Sequence, residues 1–270
     1  LEFVLEDPAV LALQIAAAAG ADDLAGERLD VTVNGAATHP VHEFRTTRGG
    51  RVHVVRADAG RLEVGYVATI LHATALGLAL LTDSSAAPVY DDETVSALRQ
   101  SRYCPSDAMA GFAAVEFANV PRGPDLGRAV AAWVFERVAY EAGASGPLDT
   151  AVDTLVANAG VCRDFAHVTI ALCRALGVPA RLVAVYAPGL SPMDFHAVVE
   201  IRVGETWEIL DPTRLAPRSS LVRIASGRDA ADTAFATTLE GDAELIASEV
   251  SAVVDGDLPD DDHEIRIALR

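Results

Sequence analysis

The sequence predicts an α+β protein: an N-terminal antiparallel β-sandwich-like domain, then a second domain in which helices precede an antiparallel sheet. Three observations carry this. Short alternating runs separated by Gly-rich turns fill the N-terminal third. Helical apolar spacing takes over from Asp91. Three strand-like runs then follow the last strong helix, the final two joined by Gly204-Glu205. In the second domain, helices first and antiparallel strands after them make an α+β order. The division falls near residue 95, giving domains over 1–95 and 96–270.

In the first domain Leu11, Leu13 and Ile15 alternate, and Leu29–Val33, Val41–Thr47, Arg51–Asp58 and Arg61–Ile70 read as strands. Asn34-Gly35, Gly49-Gly50 and Asp58-Ala59-Gly60 supply the turns between them. The character changes around Ala87–Tyr90. Asp91–Arg102 reads as a short helix with an acidic start, and Pro105-Ser106-Asp107 opens another through Phe117. Gly123–Tyr140 carries Val130, Trp133, Val134 and Val138 at helical spacing. Beyond the loop Gly143–Pro147, Thr150–Asn158 is helical. Cys162–Leu176 is a further helix, stopped by Gly177-Val178-Pro179. Arg181–Tyr186, Phe195–Val203 and Thr206–Leu210 are strands. The tail from Leu221 is mixed. Its acidic cluster Asp255–Asp262 lacks the spacing and central glycine of an EF-hand loop and reads as a solvated loop.

Of the 270 residues 51% are hydrophobic, enough for a sizeable core. The 21 basic and 39 acidic residues give a net charge of -18. That balance repels phosphate backbones and anionic lipid surfaces, so neither nucleic acid nor a membrane is expected as a partner. The three cysteines, Cys104, Cys162 and Cys173, make no disulfide framework and match no CxxC zinc pattern; no metal or other cofactor is expected. Their usage fits a reducing compartment. The apolar run Ala9–Gly20 is too short to span a bilayer, and Glu2, Glu6 and Asp7 stand where a signal peptide is basic. A cytoplasmic location is the expectation.

Cys162 is the candidate nucleophile. It directly follows Gly160-Val161 at the start of a helix, where free N–H groups and the helix dipole favour an anion. Thiolate is the nucleophilic form of cysteine, and a free thiol of pKa ~8.5 is only slightly ionised at neutral pH. Cys173 returns to nearly the same helix face but lies about 16 Å deeper along the axis, outside that field. With Ala166, Ile170 and Leu176 around it, Cys173 reads as a core residue.

Two histidines could serve as base. His167 is close in sequence, but a five-residue step turns about 140° around a helix, so it points away from Cys162. It reads as a hydrogen-bonded histidine beside the site. His196 starts a strand that can bring an imidazole against the helix start from the next layer. Asp211 ends the strand Trp207-Glu208-Ile209-Leu210, and Pro212 terminates it. Near-symmetric pairing about Gly204-Glu205 carries His196 to the level of Asp211 or just beyond. There the carboxylate can accept the Nδ1–H of His196 and fix its tautomer. Nucleophile, base and orienter then sit on separate elements with a meeting point.

These residues carry a resemblance. Gly160-Val161-Cys162-Arg163-Asp164-Phe165-Ala166-His167, Asp194-Phe195-His196-Ala197 and Leu210-Asp211-Pro212-Thr213 resemble the three blocks of the bacterial transglutaminase-like superfamily. Ser101-Arg102-Tyr103-Cys104-Pro105-Ser106-Asp107 is similar to a segment common before that core, and Gly227-Arg228-Asp229-Ala230-Ala231-Asp232 to one that follows it. The resemblance implies a papain-like, transglutaminase-like α+β core with Cys162, His196 and Asp211 as a catalytic triad. It implies a peptide or protein substrate and leaves hydrolysis, transamidation and a non-catalytic binding module open; hydrolysis of a peptide or isopeptide bond is the expectation. The Cys162 N–H can hold the oxyanion with a second donor from elsewhere. Tyr103, Asp164 and His167 are the candidates for oxyanion or substrate contacts.

Overall fold

The computed structural model describes residues 1–18, 23–71, 75–77 and 90–269, so most of the expected transition at Ala87–Tyr90 lies outside the described residues. Strands come first: β1 Glu2–Leu5, β2 Ala9–Leu13, β3 Leu24–Val33, β4 Ala36–Thr38, β5 His42–Arg45, β6 Arg51–Ala57, β7 Gly60–Ile70 and β8 Ala75–Gly77. Then follow helices α1 Asp92–Leu98, α2 Ala110–Glu116 and α3 Leu126–Arg137, strand β9 Ala139–Tyr140, helix α4 Ala151–Ala157, strand β10 Ala159–Gly160 and helix α5 Cys162–Ala175. Strands β11 Ala180–Tyr186, β12 Phe195–Val203, β13 Thr206–Leu210 and β14 Val222–Gly227 come next. Helix α6 Ala230–Thr233 and strands β15 Ala236–Glu240, β16 Glu244–Ala247 and β17 Ile267–Leu269 complete the order.

Two antiparallel sheets, ordered β16-β1-β7-β3-β4 and β15-β2-β6-β5, form the sandwich. Phe3 and Leu5 of β1, Leu11 and Leu13 of β2, Val55 of β6, and Leu62 and Val64 of β7 bury one face of each strand in a shared core. Alternation along those strands is the sequence trace of that burial. Residues 1–95 do not build these sheets alone. β15 pairs with β2, and β16 with β1, so the chain returns to the sandwich after leaving the second body. β16 is exposed along its whole length, and β15 along most of it, so neither carries an apolar alternation.

The second body is an antiparallel sheet, β13-β12-β11-β14, with helices packed on it. Leu182, Val199, Ile201 and Leu210 face the helices and meet Phe165, Ile170 and Leu172 of α5 and Val130 and Val134 of α3. Val183, Val185, Val198 and Ile209 face the other way, onto Leu221 and the β17 residues Ile267 and Leu269. Covering both faces makes the central strands near-continuously apolar, as in Leu182-Val183-Ala184-Val185. The C-terminal end of α5 is fastened by buried Arg174, which donates to the carbonyls of Ala97, Ala180 and Arg228 and to the Ser101 hydroxyl.

The structure corrects several expectations. The helix expected over Gly123–Tyr140 stops at Arg137, and Ala139–Tyr140 pairs in parallel with Ala159–Gly160. Val138 is extended, and the backbone N–H groups of Ala139 and Glu141 donate to Asn158 and Gly160, each at 3.0 Å, in place of helical carbonyls. The helix expected from Pro105 starts at Ala110, and the one from Asp91 ends at Leu98. The acidic cluster is not wholly solvated: Asp261 is buried against Arg218, with Nη2···Oδ1 at 2.8 Å.

Candidate active site

Cys162 is the first residue of α5 and is half-buried. Asp164 shapes the turn that presents it. Its carboxylate accepts the Val161 N–H at 2.9 Å and the Arg163 guanidinium at 2.9 Å, and also takes the Ser145 hydroxyl. Gly160 makes room for this, since a Cβ there would lie 2.7 Å from the Cβ of Asp164. The Asp164 side chain has no exposed surface. This corrects its expected role: the carboxylate is committed to the helix start and offers no face to a substrate.

His196 is the second residue of β12, and Asp211 directly follows β13. Val199 pairs with Leu210 across this hairpin, so extending the ladder sets Asp211 opposite Val198, with His196 diagonal to it on the same face. The hairpin geometry expected from Gly204-Glu205 is therefore realised. Both side chains are buried, and His196 Nε2 meets Asp211 Oδ2 at 3.0 Å. The expected contact was through Nδ1. Nε2 is the ring nitrogen farther from the backbone and spans the diagonal, leaving Nδ1 for the thiol. Nδ1 closes no well-formed hydrogen bond in this resting arrangement, although the Cys162 thiol lies close enough to act on the imidazole. Thiol and imidazole often tighten only once substrate is present.

The electrostatics follow from those contacts. Burial opposes a charge on His196, but the Asp211 carboxylate, its hydrogen bond and the neighbouring Cys162 outweigh burial and raise the imidazole pKa. Burial works against the Asp211 carboxylate as well, and His196 and Thr213 more than compensate, holding it below its ordinary range. Thr213 donates its N–H at 2.9 Å and its hydroxyl at 2.7 Å to Asp211 Oδ1. An Asp-Pro-Thr sequence can form such a side-chain turn, so the signal for Thr213 was present in the sequence.

Tyr103 and His167 sit together elsewhere. Their rings stack with centroids 5.1 Å apart. The Tyr103 N–H donates to Asp229 at 2.8 Å, and the Ala230 N–H donates to His167 Nε2 at 3.2 Å. The two segments flanking the core thus meet behind α5, and His167 is the hydrogen-bonded histidine expected. None of these partners belongs to the Cys162, His196 and Asp211 group. Cys104 and Cys173 are fully buried, and burial pushes both thiols up to about 12.

One site residue was missed. The hydroxyl of Tyr140 lies beside the Cys162 N–H, and its ring packs 5.8 Å from that of Phe165. Helical spacing alone puts Tyr140 at the end of a helix, and nothing local to it brings it here. Among the described residues, no group of three or more His, Cys, Asp and Glu side chains could hold a metal ion. No helix among them is long and apolar enough to cross a membrane.

The fold and the site define a mixed α+β protein that carries a half-buried thiol beside a buried imidazole–carboxylate pair. Residues 114–212, which contain all three of those groups, match the transglutaminase-like superfamily. A candidate cysteine protease from Cytophaga hutchinsonii, known from its crystal structure, is 30% identical; the match covers 100% of this chain and 95% of that one, with a TM-score of 0.84. An uncharacterized protein of Mycobacterium leprae is 30% identical over 119 residues, 39% of this chain and 41% of that protein. The chain belongs to the transglutaminase-like superfamily.

Proposed function

We propose that this protein is a cysteine peptidase or amidase that hydrolyses a peptide or isopeptide bond of a protein substrate. The observation that carries the reading is the buried 3.0 Å hydrogen bond between His196 and Asp211 beside a thiol at a helix start. The likeness to a candidate cysteine protease along the whole chain supports it. In the proposed reaction His196 takes the Cys162 proton as sulfur attacks the amide carbonyl carbon, and the carbonyl electron pair moves onto oxygen. The Cys162 N–H holds that oxyanion. Collapse breaks the C–N bond, His196 returns the proton to the leaving amine, and a thioester remains on Cys162. Water, deprotonated by His196, then releases the acid and the free thiol. Asp211, fixed by Thr213, keeps the imidazole aimed through both halves.

Iodoacetamide labelling read by peptide mass spectrometry tests the reading. At pH 6, Cys162 is expected to be labelled about tenfold faster or more in the native protein than after His196→Ala. Equal rates in the two proteins would refute it. Incubation with a glutamine peptide and a labelled amine separates hydrolysis from transamidation. Incorporation of the amine faster than release of free acid would assign the chain to amine transfer.

A further inference from the structure

The resting site has a contact that the reaction above does not use. β9 and β10 are a two-residue parallel bridge that pairs Tyr140 with Gly160, two residues before Cys162. The Glu141 N–H donates to the Gly160 carbonyl at 3.0 Å and fixes that register. The Tyr140 ring leans on Phe165 in the first turn of α5, while the residue stays 46% exposed. Its hydroxyl lies beside the Cys162 N–H, at the edge of the space a substrate carbonyl oxygen would enter.

Resting on the peptidase reading, we infer that Tyr140 supplies the second oxyanion donor: its hydroxyl donates to the same incoming carbonyl oxygen that takes the Cys162 N–H. A phenol beside that N–H has its own O–H to offer an acceptor placed between them. An oxygen placed between the two donors needs them about 4.5 Å apart, a spacing that a small movement of the phenol ring can set. A ring that is 46% exposed, packed on Phe165 and carried by a two-residue strand, can make that movement. Burial first, and then the neighbouring Cys162, push the Tyr140 phenol up to about 12, which keeps it a proton-bearing donor across the working range. The hydroxyl donates a hydrogen bond and transfers no proton, so the reaction balances as written above.

Tyr140→Phe separates this role from a structural one, because the ring and its packing on Phe165 remain. Two probes are compared on Cys162: iodoacetamide, which alkylates sulfur without forming an oxyanion, and p-nitrophenyl acetate, which acylates it through one. The variant is expected to keep its alkylation rate within about twofold and to lose about 10²-fold in acylation. Equal loss with both probes would mean that Tyr140 only positions the cysteine, and no loss with either would mean that it donates nothing; both results overturn the inference. The native protein distinguishes failure of the peptidase reading itself: if p-nitrophenyl acetate does not acylate native Cys162, both readings fall together.

Discussion

Gly160→Ala is the sharpest test of how this fold presents its thiol. The added Cβ would lie 2.7 Å from Asp164 Cβ, 2.9 Å from its Oδ2 and 3.2 Å from its Cγ. The first of these atoms is anchored to the α5 backbone and cannot swing aside, so the helix start or β10 has to shift. Overpacking of this kind costs about 1–3 kcal/mol. The shift also strains the Asp164 bond to the Val161 N–H, a helix-start interaction of the kind worth about 0.5–2 kcal/mol. Gly160 has no positive φ, so alanine recovers about 0.4–1 kcal/mol through the unfolded chain. The net expectation is a loss of about 2–3 kcal/mol, measured by urea denaturation followed by tryptophan fluorescence, with slower alkylation of Cys162. Gly111→Ala is the control: Gly111 lies on exposed helix α2 with nothing within 4 Å of the added atom, and gains up to about 1 kcal/mol. A Gly160→Ala protein as stable as the native one would refute the idea that crowding against Asp164 sets this turn.

Three further outcomes follow from buried groups. Arg218→Met leaves the buried Asp261 carboxylate without its guanidinium and should cost about 3–5 kcal/mol in urea denaturation, with new proteolytic cleavage between residues 255 and 266. A loss below about 1 kcal/mol would show that Asp261 finds other partners. His167 is held neutral in the fold: burial, with Arg163 and Arg174, outweighs the pull of Asp229 and Asp164 and lowers its pKa from 6.5 to about 4. The unfolded chain then binds the extra proton first, so stability falls by about 3 kcal/mol as pH drops from 6.5 through 4, and His167→Gln should flatten that slope. An unchanged slope in the variant would assign acid sensitivity to other groups. Thr213→Val removes one of the two donors on Asp211 Oδ1 and should slow acylation of Cys162 about tenfold with a stability change near 1 kcal/mol. An unaltered acylation rate would detach Thr213 from the site.

The parts of this fold that were legible in the sequence are those whose cause is local. β12 and β13 were read to the residue because Gly204-Glu205 fixes a short hairpin, and that hairpin alone sets His196 diagonal to Asp211. Helix α5 was read to within a residue because Gly160-Val161 precedes it and Gly177 stops it. The sandwich strands β2, β3, β6 and β7 were found through their alternation. β15 and β16 were not, because strands exposed on both faces leave no periodic trace. The turn opened by Pro105 was taken for a helix start because Pro-Ser-Asp is compatible with either, and tertiary contacts decide between them.

The same distinction explains what was misjudged at the site. Asp164 was counted among possible substrate contacts because an acidic residue beside a nucleophile fits two roles: one caps the helix from within, the other faces a ligand. Burial alone decides between them, and burial follows from how β10 packs on the first turn of α5. Tyr140 was hidden for a stronger reason. Its position depends on a two-residue parallel bridge to a segment twenty residues away, and such a bridge has neither a propensity nor a period. Helical spacing through Val130, Val134 and Val138 extended smoothly into it, and nothing in the chain marks Arg137 as the last helical residue. What ends α3 is competition: the carbonyls of Asn158 and Gly160 take the N–H groups of Ala139 and Glu141. The segment that stops the helix is also the one that introduces Cys162. A tyrosine carried on that strand is therefore delivered to the nucleophile by the same backbone bonds that deny it a place in the helix.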